Sequence, residues 1–373
     1  MFFSSAARLV TPLTGQLAIA MASFAFSGFA GAATYTTTLL GNNSYATGIN
    51  NNGQVVGNVT APYQSGYDTL ATVWNDTVAT HLEGQFSGFY SYASGINNTG
   101  QVVGYDTSEL MGCATTWNGT VVTYLGTLGG SDSSASGINN TGQVVGYSTT
   151  AGYRQHATIW NGTVATDLGM LFGGRSSRAY GINNNGQVVG VTNYTNGDAH
   201  ATIWNGTVAT GLSTPGLSQK SVAKGINDNG LVVGTTYFYN WDAHATIWNG
   251  TVATDLGSLG GRHSVASGIN NTGQVVGLAF DFTGHSRATI WNDKVVTDLN
   301  AHLDSSLVSA GWSLTEATAV NDSGSIVGNA LNSISGERRA FIMSSVPGPA
   351  TYALMLLGLA GVGLAAHRRS KAP

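Results

Sequence analysis

The triplet Gly-Ile-Asn returns at Gly48, Gly95, Gly137, Gly181, Gly225 and Gly268, with an altered seventh copy at Ala319-Val320-Asn321. The spacings are 47, 42, 44, 44, 43 and 51 residues. A second landmark, a stretch ending in Trp, keeps step at Trp74, Trp117, Trp160, Trp204, Trp248 and Trp291, and Met343 takes the seventh slot. A period near 44 residues is the mark of a propeller, solenoid or array, in which each unit buries its apolar face on the next.

Each unit carries two hairpin signals. In the third, 134–139 and 143–148 flank Asn140-Thr141-Gly142, a three-residue connection with Gly where positive φ is needed. Next, 157–160 and 163–168 flank Asn161-Gly162, the pair that a type I′ turn prefers. That predicts four short antiparallel strands per unit, the content of one propeller blade. A parallel solenoid has no use for such tight turns.

A strand of the Thr-Val-Ala-Thr-Asp-Leu type follows the Trp in six units, from 77–82 to a degenerate copy at 294–299, but the seventh unit lacks it. A matching stretch, 34–40, stands instead ahead of the first unit. An N-terminal strand that completes the last blade closes a ring, whereas an open solenoid has no need of the offset. The expectation is an all-β, seven-bladed β-propeller over residues 33–345, with 34–40 as the outer strand of blade 7.

Charge bounds the function. Asp, Glu, Lys and Arg make up 9% of the chain, against about 25% in ordinary globular proteins. So few Lys and Arg cannot form the basic surface that neutralises nucleic-acid phosphates. The lone Cys113 excludes an internal disulfide framework and any multi-cysteine metal site.

The two ends read as address signals. Residues 1–32 carry Arg8, an apolar stretch over 17–29 and Ala30-Gly31-Ala32, as in a secretory signal peptide with a small-x-small cleavage site. At the other end, 350–366 is an apolar, uncharged run followed by His367, Arg368, Arg369 and Lys371. Its 17 residues stand at the short limit for a transmembrane helix, and the basic cluster behind it should stay cytoplasmic. Without the two ends the body keeps ten basic and eighteen acidic residues, a net charge of −8.

The tail, 346–373, resembles the PEP-CTERM sorting signal of Gram-negative bacteria, also known as the ice-binding protein C-terminal domain, a name that implies no ice binding here. The resemblance rests on Val346-Pro347-Gly348-Pro349-Ala350, the apolar run and Arg368-Arg369. Gly348 stands where that family usually has Glu. The resemblance implies an exosortase-type sorting enzyme as partner, membrane insertion through the C-terminal helix, and release to the cell surface or matrix. The repeat itself resembles the HAF family of bacterial extracellular repeats, through His156-Ala157-Thr158, His200-Ala201-Thr202, His244-Ala245-Thr246 and Arg339-Ala340-Phe341, each upstream of the Trp slot or its Met343 counterpart. That family brings no established chemistry.

The repeated positions offer weak catalytic candidates. His156, His200 and His244 share one column with Leu70, Cys113, Arg287 and Arg339, while Asp167, Asp255 and Asp298 share another. Metal ligands sit near 2 Å from their ion, and equivalent residues of neighbouring blades lie too far apart for that. The expected role is pairing of His with Asp inside a blade. The turns Asn227-Asp228-Asn229-Gly230 and Asn321-Asp322-Ser323-Gly324 resemble calcium loops, but most copies lack a carboxylate. No nucleophile elbow, Walker loop or zinc-helix motif is present, so no cofactor, metal or catalytic residue is assigned.

The variable positions carry more. The connections between second and third strands differ in every unit and bring aromatics: Tyr153, Tyr194, Tyr237, Tyr239, Trp241 and Phe282. Aromatics on a propeller rim stack on sugar rings or anchor a protein partner. The expectation is an exported, non-catalytic surface or matrix protein that binds exopolysaccharide or another surface protein. The alternative is a secreted propeller glycan hydrolase or lyase with a carboxylate near the channel.

Overall fold

The computed structural model describes residues 34–346 apart from 64–65, 85–89, 109–110, 217, 219, 240–241 and 294. Seven four-stranded antiparallel sheets follow one another along the chain, and each is a blade. Blades 1 to 6 cover 44–82, 91–124, 129–169, 176–211, 220–255 and 260–298, each with its strands in sequence order. Blade 7 takes its three inner strands from 312–346 and its outer strand from Thr34–Leu39, which pairs antiparallel with Arg338–Val346. The ring is closed by that N-terminal strand, as the offset in the repeat predicts. The signal segment 1–32 and the tail 347–373, with its apolar run 350–366, lie outside the described residues. Among the described residues no helix is long and apolar enough to cross a membrane.

The glycines of the repeat set its geometry. Each inner strand carries a bulge, seen as a register shift between Ala46 and Gly48 in blade 1 and at the matching place in every other blade. The bulge drives a carbonyl toward the second strand. A Cβ on the facing glycine (Gly57, Gly104, Gly146, Gly190, Gly234, Gly277 or Gly328) would lie only 1.8–2.0 Å from that oxygen. The glycine of Gly-Ile-Asn answers a second constraint, convergence at the axis. Gly181 approaches the Cα of Gly225 so closely that a Cβ would sit 3.5 Å from it and 3.0 Å from the Lys224 carbonyl.

The core lies between blades. The six Trp side chains of the repeat, Trp74 to Trp291, are fully buried, each packed against residues of the neighbouring blade, such as Trp204 against Val145, Ala157 and Leu168. Trp117, Trp160 and Trp248 donate from Nε1 to backbone carbonyls of the preceding inter-blade connection at 2.6–3.1 Å. A column of buried inner-strand serines completes the joint. Ser177 Oγ accepts from the Ala157 amide at 2.9 Å and donates to the Gly169 carbonyl. Ser91, Ser133, Ser221 and Ser264 accept from the preceding blade in the same way, and Ser44 accepts from Ala340 across the closure. At the joint between blades 6 and 7 the position is Leu314, packed in the apolar cluster, and the side-chain hydrogen bonds come instead from Asn300, which donates to the Leu314 carbonyl at 2.9 Å and accepts from its amide at 2.7 Å.

One turn differs from expectation. Asn161 pairs with Val164, so the two-residue loop is Gly162-Thr163 rather than Asn161-Gly162. Gly162 alone has positive φ, 59°, which is the demand of a type II′ turn rather than I′. The strand pairing itself is unaffected.

Candidate functional site

The strand order puts two kinds of loop on two faces. The repeated Asn-rich turns between first and second strands share one face with the short third-to-fourth turns, as Gln143 Nε2 to Asn161 Oδ1 (3.2 Å) and Gln187 to Asn205 (3.1 Å) show. The variable second-to-third connections and the inter-blade connections occupy the other.

On the turn face the repeated asparagines build two closed rings. Asn50, Asn97, Asn139, Asn183, Asn227, Asn270 and Asn321 are nearly fully buried, and each donates from Nδ2 to the carbonyl of the next at 2.9–3.2 Å. The Oδ1 of each caps its own turn; Asn183 accepts from the amides of Asn185 and Gln187. One residue further on, the amides of Asn51, Asn98, Asn140, Asn184, Asp228, Asn271 and Asp322 each donate to the next side-chain Oδ1 at 2.8–3.0 Å. These rings line an axial pocket of about 150 Å³. The carboxylates of the two calcium-like turns are ring acceptors: Asn271 Nδ2 lies 3.2 Å from Asp228 and 3.1 Å from Asp322. Burial opposes ionisation of Asp322, yet the hydrogen bonds from Asn271 and Asn51 outweigh it and hold its pKa below the ordinary value. The asparagines of this face are consumed in closing the ring.

The His and Asp columns meet in two blades. His156 Nδ1 lies 2.7 Å from Asp167 Oδ2, and His244 Nδ1 2.5 Å from Asp255 Oδ2. In blade 4 Gly211 takes the Asp position and His200 meets the edge of Tyr194 instead. In blade 6 the column residue Arg287 binds Asp281 at 2.9 Å, and Asp298 caps the short 3-10 turn Leu299–His302. Among the described residues no three His, Cys, Asp or Glu are grouped to hold a metal.

On the variable face, blades 3 and 4 enclose a groove of about 570 Å³, lined by Thr149, Gly152–Gln155, Arg175, Ser176, Asn193 and Tyr194. Of the aromatics singled out in the sequence, Tyr153 and Tyr194 meet here. Tyr239 and Phe282 are exposed on the loops of blades 5 and 6 and do not line this groove; Tyr237 is half-buried in its strand, where burial first and Tyr180 second raise its pKa. Trp241 lies outside the described residues.

The inner wall beside this groove was not singled out in the sequence. Gln155 Oε1 accepts from Arg178 Nε and Nη2 at 2.9 and 2.6 Å. The Arg178 guanidinium stands 4.5 Å above the Tyr147 ring, and Tyr147 donates its hydroxyl to Asp132 at 3.1 Å. Burial, then the Asp132 charge, push the Tyr147 phenol up to about 12 against the opposing pull of Arg178. Tyr92 and Tyr105 stack at 4.6 Å in blade 2. Nearby, Asp106 is buried and accepts from the Tyr124 hydroxyl at 2.6 Å. Burial, then Asp106 and Asp132, raise the pKa of the Cys113 thiol. One signal was available: Arg154, Arg175 and Arg178 are three of the ten basic residues of the body, gathered within 25 positions.

No protein-family model and no curated protein matches the sequence. Solved structures do match in fold. The β-propeller domain of the Trilobed protease from Pyrococcus furiosus, described as having an open velcro topology, aligns with a TM-score of 0.53 at 9% identity, over 83% of this chain and 97% of that one. Here, in contrast, the closing pair of strands is formed. A puromycin hydrolase aligns with a TM-score of 0.50 at 12% identity, over 79% of this chain and 53% of its own. TolB from Acinetobacter baumannii gives 0.42 at 8% identity, over 78% and 79%. At these identities the likeness shows the propeller fold.

Proposed function

We propose that this chain is an exported, non-catalytic propeller that binds polysaccharide on its variable face and is sorted to the cell surface or matrix by its tail. The observation that carries the binding role is the contrast between faces. One face repeats the same hydrogen-bonded asparagines seven times, while the other opens a groove bordered by Tyr153, Tyr194, Arg154 and Arg175 at one inter-blade joint. A polar groove with an exposed aromatic rim suits a sugar, whose C–H face stacks on a ring while its hydroxyls take hydrogen bonds.

The export reading rests on the resemblance of residues 346–373 to the PEP-CTERM signal and on the signal-like 1–32. It implies an exosortase-type enzyme acting at Pro347-Gly348-Pro349, with Arg368 and Arg369 on the cytoplasmic side. Mass spectrometry of the native protein from membrane and medium tests it. A form starting at Ala33 and ending near Val346 supports sorting and release, an intact membrane-bound C-terminus supports a plain anchor, and a chain retaining residues 1–32 in the cytoplasm overturns export.

A second reading, a glycan hydrolase or lyase, draws on Asp132, the half-buried acid beside the groove wall, held by Tyr147. Turnover of a polysaccharide panel that is lost in Asp132→Asn would replace the non-catalytic reading.

A further inference from the structure

The turn that carries Tyr153 is built like two of its siblings. In blade 3 the Thr150 amide donates to the Arg154 carbonyl and the Tyr153 amide to the Thr150 carbonyl, each at 2.9 Å. In blade 4 the same two bonds join Tyr194 with Asp198 and Gly197, and in blade 6 they join Asp281 with His285 and Gly284. Gly197 and Gly284 have φ of 83° and 84°, the left-handed backbone that this turn position demands. Blade 3 places Tyr153 there, at φ 59°. An L side chain in that region is strained, and a bulky aromatic is an uncommon choice. The ring gains no burial in exchange, being 86% exposed. Packing therefore does not account for Tyr153 at this position, and strained residues of this kind cluster where a side chain meets a ligand.

Its neighbours define what it contacts. Arg154 follows it directly, and Arg175 faces the groove from the connection between blades 3 and 4. Both side chains are exposed, and neither guanidinium has a hydrogen-bond or ion-pair partner in the described structure, whereas Arg178, Arg262, Arg287 and Arg339 all have one. Two unpaired guanidinium groups stand in one groove of a body whose formal charge is −8. Guanidinium matches carboxylate in a bidentate, charge-assisted geometry.

We propose that this groove takes an acidic sugar unit, with the Tyr153 ring stacked on the pyranose face and Arg154 and Arg175 holding the carboxylate of a uronic acid. The proposal rests on the polysaccharide-binding reading and narrows it to polyuronates. An acidic peptide would use the arginines but has no saturated ring face for Tyr153.

The purified protein is tested for retention on polygalacturonate, on neutral glucomannan and on polyglutamate by affinity electrophoresis. Retention on polygalacturonate is expected, weakened about 100-fold in R154Q/R175Q if each charge-assisted contact is worth roughly tenfold. Tyr153→Gly is expected to weaken it about tenfold through loss of stacking, while its melting temperature stays within about 2 °C or rises, since glycine suits the turn. Retention on glucomannan that the arginine changes leave intact overturns the acidic-sugar proposal and leaves polysaccharide binding standing. Equal retention on polyglutamate, or a Tyr153→Gly protein that binds normally, overturns it as well. Retention on none of the polymers overturns both readings.

Discussion

Asn321 donates from Nδ2 to the carbonyl of Asn50 at 3.0 Å, joining the last blade to the first across 271 residues. The same bond recurs at every other joint, so closure uses the ordinary inter-blade contact and needs no special device. Both Nδ2 hydrogens are used: in blade 4 Asn183 reaches the Asn227 carbonyl at 3.0 Å and Gln187 Oε1 at 2.9 Å. Replacing Asn183 by Ala removes both, leaves the Asn227 carbonyl with the Gly230 amide alone, and strips the Asn185 and Gln187 amides of their shared acceptor. We expect a loss of about 2–4 kcal/mol in denaturant unfolding. A loss under about 0.5 kcal/mol would mean the ring is incidental.

Two glycines of different kinds should respond differently to a methyl group. At Gly190 the added Cβ would stand 2.0 Å from the Arg178 carbonyl, with only backbone to yield. Gly190→Ala is expected to cost more than about 4 kcal/mol or to prevent folding. At Gly162 nothing lies within 4 Å and φ is 59°, so Gly162→Ala should cost only about 1–2 kcal/mol. Thermal melts of the two variants check the order.

Tyr147 sets a test at alkaline pH. Its phenol sits near 12 in the folded protein against the ordinary 10.0. A raised folded pKa means that the neutral form is the one that folding favours. The stability it contributes is therefore full below about pH 10 and is lost as pH rises from there through 12. Tyr147→Phe keeps the ring beneath Arg178 and removes the titration. Its stability should fall less steeply above pH 10 than that of the parent, because the other tyrosines with raised pKa values, Tyr35, Tyr105 and Tyr237, are present in both proteins. Identical slopes in urea melts between pH 9 and 11.5 would contradict the assigned environment.

The fold was legible because it is written seven times. Spacing gave blade number, hairpin residues gave strand number, and the misplaced 34–40 stretch gave the closure. The site was less legible, for a physical reason. Pattern reading weights what repeats, and the repeats here serve the joints between blades. The serine column, Ser44 to Ser264, keeps the spacing of Gly-Ile-Asn, but nothing along the sequence shows that its hydroxyls bridge to the preceding blade. The His and Asp columns looked alike along the sequence, yet Gly211 removes the pairing in blade 4 and Asp281 captures Arg287 in blade 6. Tyr153 and Tyr194 were visible as loop aromatics. Their meeting with Arg154 and Arg175 depends on which connections border the same joint, and that emerges only once the blades are placed.

Closure of the ring underlies the joints, the two faces and the groove, and the facing residues Thr36 and Ser344 allow it to be tested directly. The T36C/S344C double variant, made in a Cys113→Ser background, places two thiols on paired backbone positions of the first and last strands. Oxidised at low protein concentration and analysed on a non-reducing gel with peptide mass mapping, it should form one intramolecular disulfide. Its melting temperature should lie above that of the reduced form. Free thiols, or disulfides found only between chains, would contradict a propeller closed by its N-terminal strand.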